Sequence, residues 1–435
     1  MQEQISLSTR EVRRLQVLDQ VVLGKVTLKV GASLLGVCYR QAKRLLARLR
    51  KEGPKGLAHR QRGRVAPNAL GRETRDRVLA LHQERYAQFN DTHFVQMLEE
   101  REDLRIGRET VRRWLRAAGI APKRTRRSPQ HRSRRPRRAQ EGLMVQWDGS
   151  PHRWFGPAKP PCSLLHAVDD ASNRVLGALF RPHEDAIGYL RLLDQVVRRY
   201  GVPVTFYQDR HSALQRHDNH WSHEEELAGL RFATHVGRVI DELGAQPIPA
   251  YSAQAKGRIE RQGAIFQDRL VAEMALDGIT EIDQANEWLE TTFLPRHNAR
   301  FARAPEQPGS AFRKISAAER YRIISFAYEA TVANDNTVRL GGLIIDLPPG
   351  PRGLSYARRR VLVRQHLDGA WSVWLNDRQR IARHPQTPLR EPWRGWRPHQ
   401  HGEYRKTRHI LQVYYETTPA PNPRGHFSSA VEGTS

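Results

Sequence analysis

Three acidic residues of this strongly basic chain have the types and positions needed to hold metal ions: Asp148, Asp209 and Glu260. Asp148 and Asp209 each end an apolar run that predicts a β-strand, and Glu260 lies in a segment, 255–270, that predicts a helix. Carboxylate oxygens are the ligands that Mg²⁺ prefers. Two such ions about 4 Å apart can bind the attacking and leaving oxygens of a phosphodiester. Together the three residues predict phosphoryl transfer on a nucleic acid.

The segment 141–305 is predicted to bring these carboxylates together. Its pattern predicts three antiparallel strands, a helix, a strand, a helix-containing stretch, a further strand and a helix, which is the order of an RNase H-like domain. The predicted bounds are 143–148, 163–168, 174–180, 184–200, 204–209, 246–250 and 255–270. In such a sheet the first and fourth strands are neighbours. Asp148 and Asp209 should therefore lie near one another, with Glu260 closing the site from the last helix.

Each carboxylate also has a simpler interpretation. An Asp at a strand end is most often a turn residue, and Asp169 and Asp170, between two predicted strands, are interpreted in that way. Glu260 could pair with Lys256 on an exposed helical face. Three gathered carboxylates would repel one another without a counterion. The joint placement of the three therefore favours a metal site.

The overall charge predicts a polyanionic partner. The chain has 435 residues, with 72 Lys and Arg against 46 Asp and Glu, which gives a net charge of +26. Double-stranded DNA is the partner that this excess favours. Two cysteines exclude a disulfide framework. Because no signal peptide and no apolar run long enough to span a membrane is evident, we expect a cytoplasmic, nucleoid-associated protein without membrane contact.

Two N-terminal segments, 1–60 and 68–120, predict helix-turn-helix units. The first combines helices at 9–23, 27–35 and 39–52 with a turn at Gly36-Val37, and the second has helices at 72–86, 92–102 and 108–118. A helical bundle with a solvated basic face is the alternative for either segment. The residues predicted to bind DNA here and on the helix of Glu260 are Arg40, Gln41, Lys43, Arg44, Arg108, Arg112, Arg113, Lys256, Arg258 and Arg261.

The predicted fold class is multidomain α/β: helix-turn-helix units, a central RNase H-like mixed sheet flanked by helices, and a small C-terminal β-barrel. A basic linker at 121–140 separates the helical units from the catalytic domain at 141–305. A helical connector at 306–330, with a helix from 312 to 327, leads to the barrel at 331–384. A basic tail at 385–435 is predicted to be mostly disordered.

Three motifs around the carboxylates resemble those of bacterial insertion-sequence transposases of the retroviral-integrase-like DDE group, and ISNCY transposases in particular. They are Gln146-Trp147-Asp148-Gly149, Tyr207-Gln208-Asp209-Arg210 and Ala255-Lys256-Gly257-Arg258-Ile259-Glu260-Arg261. Pro295-Arg296-His297-Asn298-Ala299-Arg300-Phe301 is similar to the motif that follows the catalytic core in this superfamily. The resemblance spans about residues 9–380.

The resemblance implies that Asp148, Asp209 and Glu260 bind two Mg²⁺ ions, with Mn²⁺ as an alternative ion. It implies that these ions activate water for strand nicking, and then the freed 3′-hydroxyl for attack on target DNA. At least a homodimer would hold two element ends. The segment 211–244 would be an insertion relative to many relatives, and His217, His220 and His223 within it are interpreted as surface residues rather than zinc ligands. A DNA-binding regulator without cleavage activity and a nuclease without joining activity are the rival interpretations.

Overall fold

The computed structural model describes residues 7–59, 70–124, 128, 135–209, 211–214, 234–250, 257–340, 343–376 and 379–389. Lys256, the three histidines from His217 to His223, and the predicted tail from residue 390 onwards lie outside these ranges. The chain forms two compact units, residues 1–80 and 81–435. None of the helices in the described ranges is long and apolar enough to cross a membrane.

The first unit has the predicted helix-turn-helix layout. Its helices are α1 (Thr9–Val22), α2 (Leu28–Leu35) and α3 (Tyr39–Glu52), followed by the 3₁₀ turn Gly53–Leu57. The Thr27 hydroxyl accepts a hydrogen bond from the backbone N–H of Val30, which caps α2 as predicted. Gly36 ends α2 at a φ of 62°, a conformation that glycine adopts without steric cost. The predicted apolar stripe of α3 is buried and packs on α1: Ala42, Leu45, Leu46 and Leu49.

Helix α4 (Arg72–Glu84) spans the boundary between the units, and α5 (Asp91–Arg101) and α6 (Arg108–Ala117) lie in the second unit. Their bounds agree with the predicted helices to within two residues. Asn90 caps α5 by accepting a hydrogen bond from the backbone N–H of His93 at 2.9 Å. The buried side chains of Phe94 on α5 and Val111 on α6 belong to the core of this part of the second unit.

The centre of the second unit is a five-stranded mixed sheet in the order β3-β2-β1-β4-β5. Its strands are β1 (Val145–His152), β2 (Cys162–Asp169), β3 (Val175–Arg181), β4 (Thr205–Gln208) and β5 (Gln246–Pro249). The first three strands pair antiparallel, whereas β4 pairs parallel with both β1 and β5. The predicted RNase H-like order is thereby confirmed, including the neighbouring first and fourth strands.

Strand β1 is longer than predicted. The prediction that it ends at Asp148 is wrong, because its antiparallel pairing with β2 continues four residues further, to His152 opposite Cys162. Its pairing with β4 is limited to Val145 and Gln146. The sequence from Gly149 to Pro151 has the composition of a turn, and only the hydrogen bonds to β2 keep it extended.

Helices cover both faces of the central sheet. Helix α7 (Ala186–Arg199) and α8 (His235–Glu242) pack on the face formed by Leu165 and Ala167 of β2. Helix α9 (Gly257–Leu276) packs on the opposite face, where Leu164 and Val168 point. The same face also contacts α10 (Ile282–Trp288), the π-helical turn Leu289–Phe293, and α11 (Leu294–Phe301). Because its side chains point alternately to opposite faces, the fully buried strand β2 contributes to the hydrophobic cores on both sides of the sheet.

The C-terminal part of the second unit differs from its prediction. The helix predicted at 312–327 is limited to α12 (Ala317–Ile323), because Ser325 begins a strand that pairs with a later one. Four strands form an open antiparallel sheet in the order β11-β10-β9-β6, and two form a separate pair. A closed barrel is therefore not confirmed within the described residues. The strands are β6 (Ser325–Thr331), β7 (Thr337–Leu340), β8 (Leu343–Asp346), β9 (Arg360–His366), β10 (Trp371–Leu375) and β11 (Gln379–His384).

Candidate active site

The neighbouring strands β1 and β4 bring Asp148 and Asp209 together. Gln146 on β1 pairs with Tyr207 on β4, and Asp148 and Asp209 each follow this last pair by two residues. The indole N–H of Trp147 donates to the Gln208 side chain at 3.2 Å, which fixes the two strands just before the carboxylates. One oxygen of Asp209 accepts the backbone N–H of His211 at 3.0 Å.

A further carboxylate, Glu184, reaches the same place from the loop between β3 and α7. Its Oε1 accepts the Tyr189 hydroxyl at 2.5 Å and lies 3.6 Å from Nδ1 of His211. A Cβ atom at Gly149 would lie 2.1 Å from Oε2 of Glu184, so a larger residue after Asp148 would displace this carboxylate from its present position. The sequence marked Glu184 only as the start of a helix.

The electrostatics of Glu184 show that the carboxylates act on each other. Burial raises the pKa of Glu184, and the negative charges of Asp209 and Asp148 raise it further, while the Tyr189 hydroxyl and His211 lower it. Burial and the Glu184 charge together raise the pKa of the Tyr189 hydroxyl well above its usual value. This end of the sheet therefore concentrates negative charge, as a cation site requires.

Helix α9 carries Glu260 along the same part of β1. At the start of α9, Arg258 pairs with Asp170, which also accepts the side-chain N–H of Gln146 on β1 at 2.7 Å. Further along, Gln267 donates to the hydroxyl of Ser150 at 3.1 Å. The helix thus runs beside β1, and Glu260 lies exposed on its first turn.

The structure therefore places Asp148 and Asp209 within electrostatic reach of Glu184 and places the helix of Glu260 beside β1. Within the described ranges, no group of three or more His, Cys, Asp or Glu side chains is close enough to hold a metal ion. The three-carboxylate metal site stays a prediction.

The turn after β2 has a structural role. Asp169 accepts the backbone N–H groups of Gly142 and Ser172, as expected of a turn residue. Burial would raise the pKa of Asp170, but Arg135, the backbone N–H of Arg138 and Arg258 hold it below its ordinary value. The end of the basic linker is thereby fixed to the start of α9. Any DNA contact of Arg258 has to compete with this pairing.

Most of the residues predicted to bind DNA are exposed. On α3, the side chains of Arg40, Lys43 and Arg44 are exposed and Gln41 is half-buried. The arginines of α6 are also exposed, and one of them pairs with Glu109 at 3.1 Å. They are Arg108, Arg112 and Arg113. Arg261, next to Glu260, is exposed as well.

One buried and one partly exposed polar contact join α5 to α9 and the residue that follows it. The His93 ring lies 2.9 Å from the Glu273 carboxylate, which also pairs with Arg296. Arg101 forms a bidentate ion pair with Asp277, in which the nitrogen–oxygen distances are 2.5 and 2.9 Å. His93 and Glu273 are 180 positions apart in the sequence, so no local pattern could have indicated this interface.

Comparisons with known proteins agree with the sequence motifs. A protein family described as "Helix-turn-helix domain" matches residues 13–64. A putative transposase, y4bF, of Sinorhizobium fredii is 36% identical over 314 residues, which are 72% of this chain and 67% of that protein. The transposase for insertion sequence IS1202 of Streptococcus pneumoniae is 26% identical over 409 residues, 85% of each chain.

Two solved structures of viral proteins also match, with low TM-scores. One is a simian T-cell lymphotropic virus intasome in complex with PP2A regulatory subunit B56 gamma. It has a TM-score of 0.29 and 13% sequence identity, and the match covers 72% of this chain and 100% of that chain. The other is the HTLV-2 integrase catalytic core domain in complex with magnesium, with a TM-score of 0.24, 15% identity, and coverage of 36% and 90%.

Proposed function

This chain belongs to the family of insertion-sequence transposases, and from this premise we propose that it binds the ends of a mobile element, cuts the DNA there and joins the freed ends to a target. The observation that supports the proposal is that Asp148 lies on β1 and Asp209 directly follows the neighbouring strand β4, with the helix of Glu260 beside β1. Carboxylates from two strands and a helix can converge on a phosphodiester held at this edge of the sheet.

The donor set at this edge fits a hard divalent cation. Asp148 and Asp209 would provide oxygen ligands, and their negative charges both act on the nearby Glu184, whose pKa is raised mainly by burial. We propose that Asp148, Asp209 and Glu260 hold two Mg²⁺ ions, with Mn²⁺ as an alternative. When bound, such ions polarise a phosphodiester and lower the pKa of the attacking water or hydroxyl.

The other residues of the site have supporting roles in this proposal. The carboxylate of Glu184 lies beside the His211 ring, and the backbone N–H of His211 holds Asp209. Tyr189 fixes Glu184 from α7. These contacts keep the two strand-borne carboxylates in place before DNA arrives, which is the preorganisation that phosphoryl transfer needs.

DNA recognition is assigned to the two N-terminal helical segments. In a helix-turn-helix unit the second helix of the motif enters the major groove, so the exposed basic residues of α3 and α6 would contact DNA. Two element ends have to be held at once, and we therefore propose at least a homodimer on DNA.

Strand-transfer assays test the proposal. The purified protein is incubated with Mg²⁺, a target plasmid and a labelled duplex from the genomic sequence flanking its gene. Three variants each remove one charge with little change in shape: Asp148→Asn, Asp209→Asn and Glu260→Gln. We expect nicked and joined products from the wild type, at least 100-fold less product from each variant, and unchanged DNA binding.

Glu287→Gln, at an exposed position on α10, is the matched control and should keep wild-type activity. Products from Glu260→Gln at the wild-type level would remove Glu260 from the site. DNA binding by the wild type without any cleavage would instead indicate a regulator, and cleavage without joining a nuclease.

A further inference from the structure

A groove of about 290 Å³ lies between the N-terminal end of α5 and α9. Asn90 and Thr92 line it from α5, Arg261 and Arg269 from α9, Arg124 from the start of the basic linker, and Phe301 from the end of α11. All of these residues belong to the same compact unit. The motif resemblance assigned no role to this groove.

The groove carries an excess of positive charge. Its single carboxylate, Asp268, already pairs with Lys123 at 3.1 Å and accepts a hydrogen bond from Asn90. Three guanidinium groups remain, those of Arg124, Arg261 and Arg269. A groove with this charge and these donors fits a phosphate-bearing chain.

Arg269 is held ready for an anion. Its guanidinium lies 4.9 Å from the centre of the Phe301 ring, over the ring face, which fixes its plane. Within the described part of the chain it forms no ion pair. Burial lowers the pKa of Arg269, and Arg300 lowers it further against the attraction of Glu273, Asp268 and Glu100. Since arginine stays protonated in proteins, Arg269 is a partly desolvated charge that an anion would stabilise.

The position of the groove relates it to the proposed active site. Arg261 is the residue after Glu260, and Arg269 lies eight residues further along α9. At 1.5 Å per residue this is a rise of about 12 Å, the length of three to four base steps of a DNA strand at about 3.4 Å each. Helices α5 and α6 border the far end of this path.

We propose that this groove binds the sugar–phosphate backbone of one DNA strand on its way from α6 to the carboxylates, with Arg269 as its oriented phosphate ligand. The inference rests on the proposed transposase function for the identity of the DNA. The contact is to the backbone and should not depend on base sequence, because all nucleotides share the same phosphate.

Salt-dependent DNA binding of Arg269→Gln, Arg269→Lys and Arg124→Gln tests the groove. Each lost phosphate contact lowers the slope of log affinity against log salt concentration by about 0.9. We expect Arg269→Gln and Arg124→Gln each to lose about this amount and to bind roughly tenfold more weakly. Arg269→Lys keeps the charge but not the planar fork, so it should keep most of the slope. Arg198→Gln, on α7 at the opposite face of the sheet, is the matched control.

Duplexes with single methylphosphonate linkages then locate the contact. In the wild type, neutralising one of a few consecutive phosphates near the cleavage site should weaken binding, whereas in Arg269→Gln the same linkages should have no further effect. Arg124 is exposed, so its variant keeps the test valid if Arg269→Gln does not fold.

The outcomes separate the two proposals. Unchanged salt slopes for both Arg269→Gln and Arg124→Gln, or an equal loss of slope in Arg198→Gln, would overturn the proposal that the groove binds DNA. If the wild type binds DNA with the expected methylphosphonate pattern but makes no nicks, the proposed function is overturned and the proposal that the groove binds DNA is retained. A wild type that does not bind DNA at all would overturn both.

Discussion

Glu184 is a carboxylate beside Asp148 and Asp209 that the motif resemblance did not include. Its place depends on Gly149, because any larger residue after Asp148 would meet its side chain. It contacts Tyr189 and His211 rather than joining the strand-borne pair directly. A residue that orients the surroundings of metal ligands in this way tunes both metal affinity and geometry. We therefore assign Glu184 to positioning and not to metal binding.

Glu184→Gln should separate this positioning role from folding. Glutamine keeps an acceptor for the Tyr189 hydroxyl but removes the charge that holds His211, so the fold should persist. We expect cleavage to fall about 10- to 100-fold and the Mg²⁺ concentration for half-maximal activity to rise, with DNA affinity unchanged. A magnesium titration of nicking activity measures both effects. Glu281→Gln, exposed at the N-terminus of α10, is the control, and an unchanged magnesium midpoint in Glu184→Gln would contradict the role.

At the scale of helices and strands, the sequence correctly predicted the features that depend on interactions between residues close together in the chain. The buried stripe of α3, the Thr27 cap and the order of the central strands follow from periodicity and capping, which act over a few residues. The errors have long-range causes. Hydrogen bonds to β2 extend β1 past Asp148, and pairing with β9 turns the segment from Ser325 into a strand.

The same reason explains what was missed in the candidate site. Asp148 and Asp209 could be predicted to lie near one another because the expected RNase H-like sheet makes their strands neighbours, although β1 continues past Asp148. Glu184 and His211 reach the site from loops, and a loop's path depends on the assembled structure rather than on periodicity. The contacts of Asp170 with Arg135 and Arg258 likewise join residues 35 and 88 positions apart.

The contact between α8 and β6 predicts a dependence of stability on pH. The buried ring of His235 packs edge-on against Phe326 and Tyr328 at 5.1 and 5.2 Å between ring centres. Burial, helped by Arg238, lowers the pKa of His235 from 6.5 to about 3. In the unfolded chain His235 therefore binds a proton below about pH 6.5, whereas in the folded chain it binds one only below about pH 3. The free energy of unfolding should fall on acidification through this window, by up to about 1.4 kcal/mol per pH unit from this residue.

His235→Phe removes this titration while keeping an aromatic ring against β6. Urea unfolding at several pH values between about 7 and 5 should show a shallower loss of stability in the variant than in the wild type, by up to one proton. The variant should thus be relatively more stable at the acidic end. Parallel pH profiles for the two proteins would contradict the assignment.

For the whole molecule, the net charge of +26 and the two helical segments with exposed arginines are features that favour binding to a polyanion. If at least two subunits must each act on one element end, an inactive subunit should disable the assembly that contains it. Activity would then depend on subunit composition and not only on the amount of active protein.

Mixing wild-type protein with Asp148→Asn tests this dependence on composition. If a dimer with two active subunits is required, an equal mixture that has exchanged subunits should make about one quarter of the joined product of the same total amount of wild type, because only that fraction of random pairs is fully active. The measurement is strand transfer at constant total protein. A yield of one half would indicate that each subunit acts independently.

The buried pair of His93 with Glu273 and the partly exposed pair of Arg101 with Asp277 also limit how this protein can evolve. Helices α5 and α6 cannot be taken as a separate cassette from a relative that lacks His93, because Glu273 would then stay buried without this partner. New element ends are therefore more easily acquired by single substitutions on the exposed side of α6. Hybrids between relatives should function only when α5, α6 and α9 are inherited together.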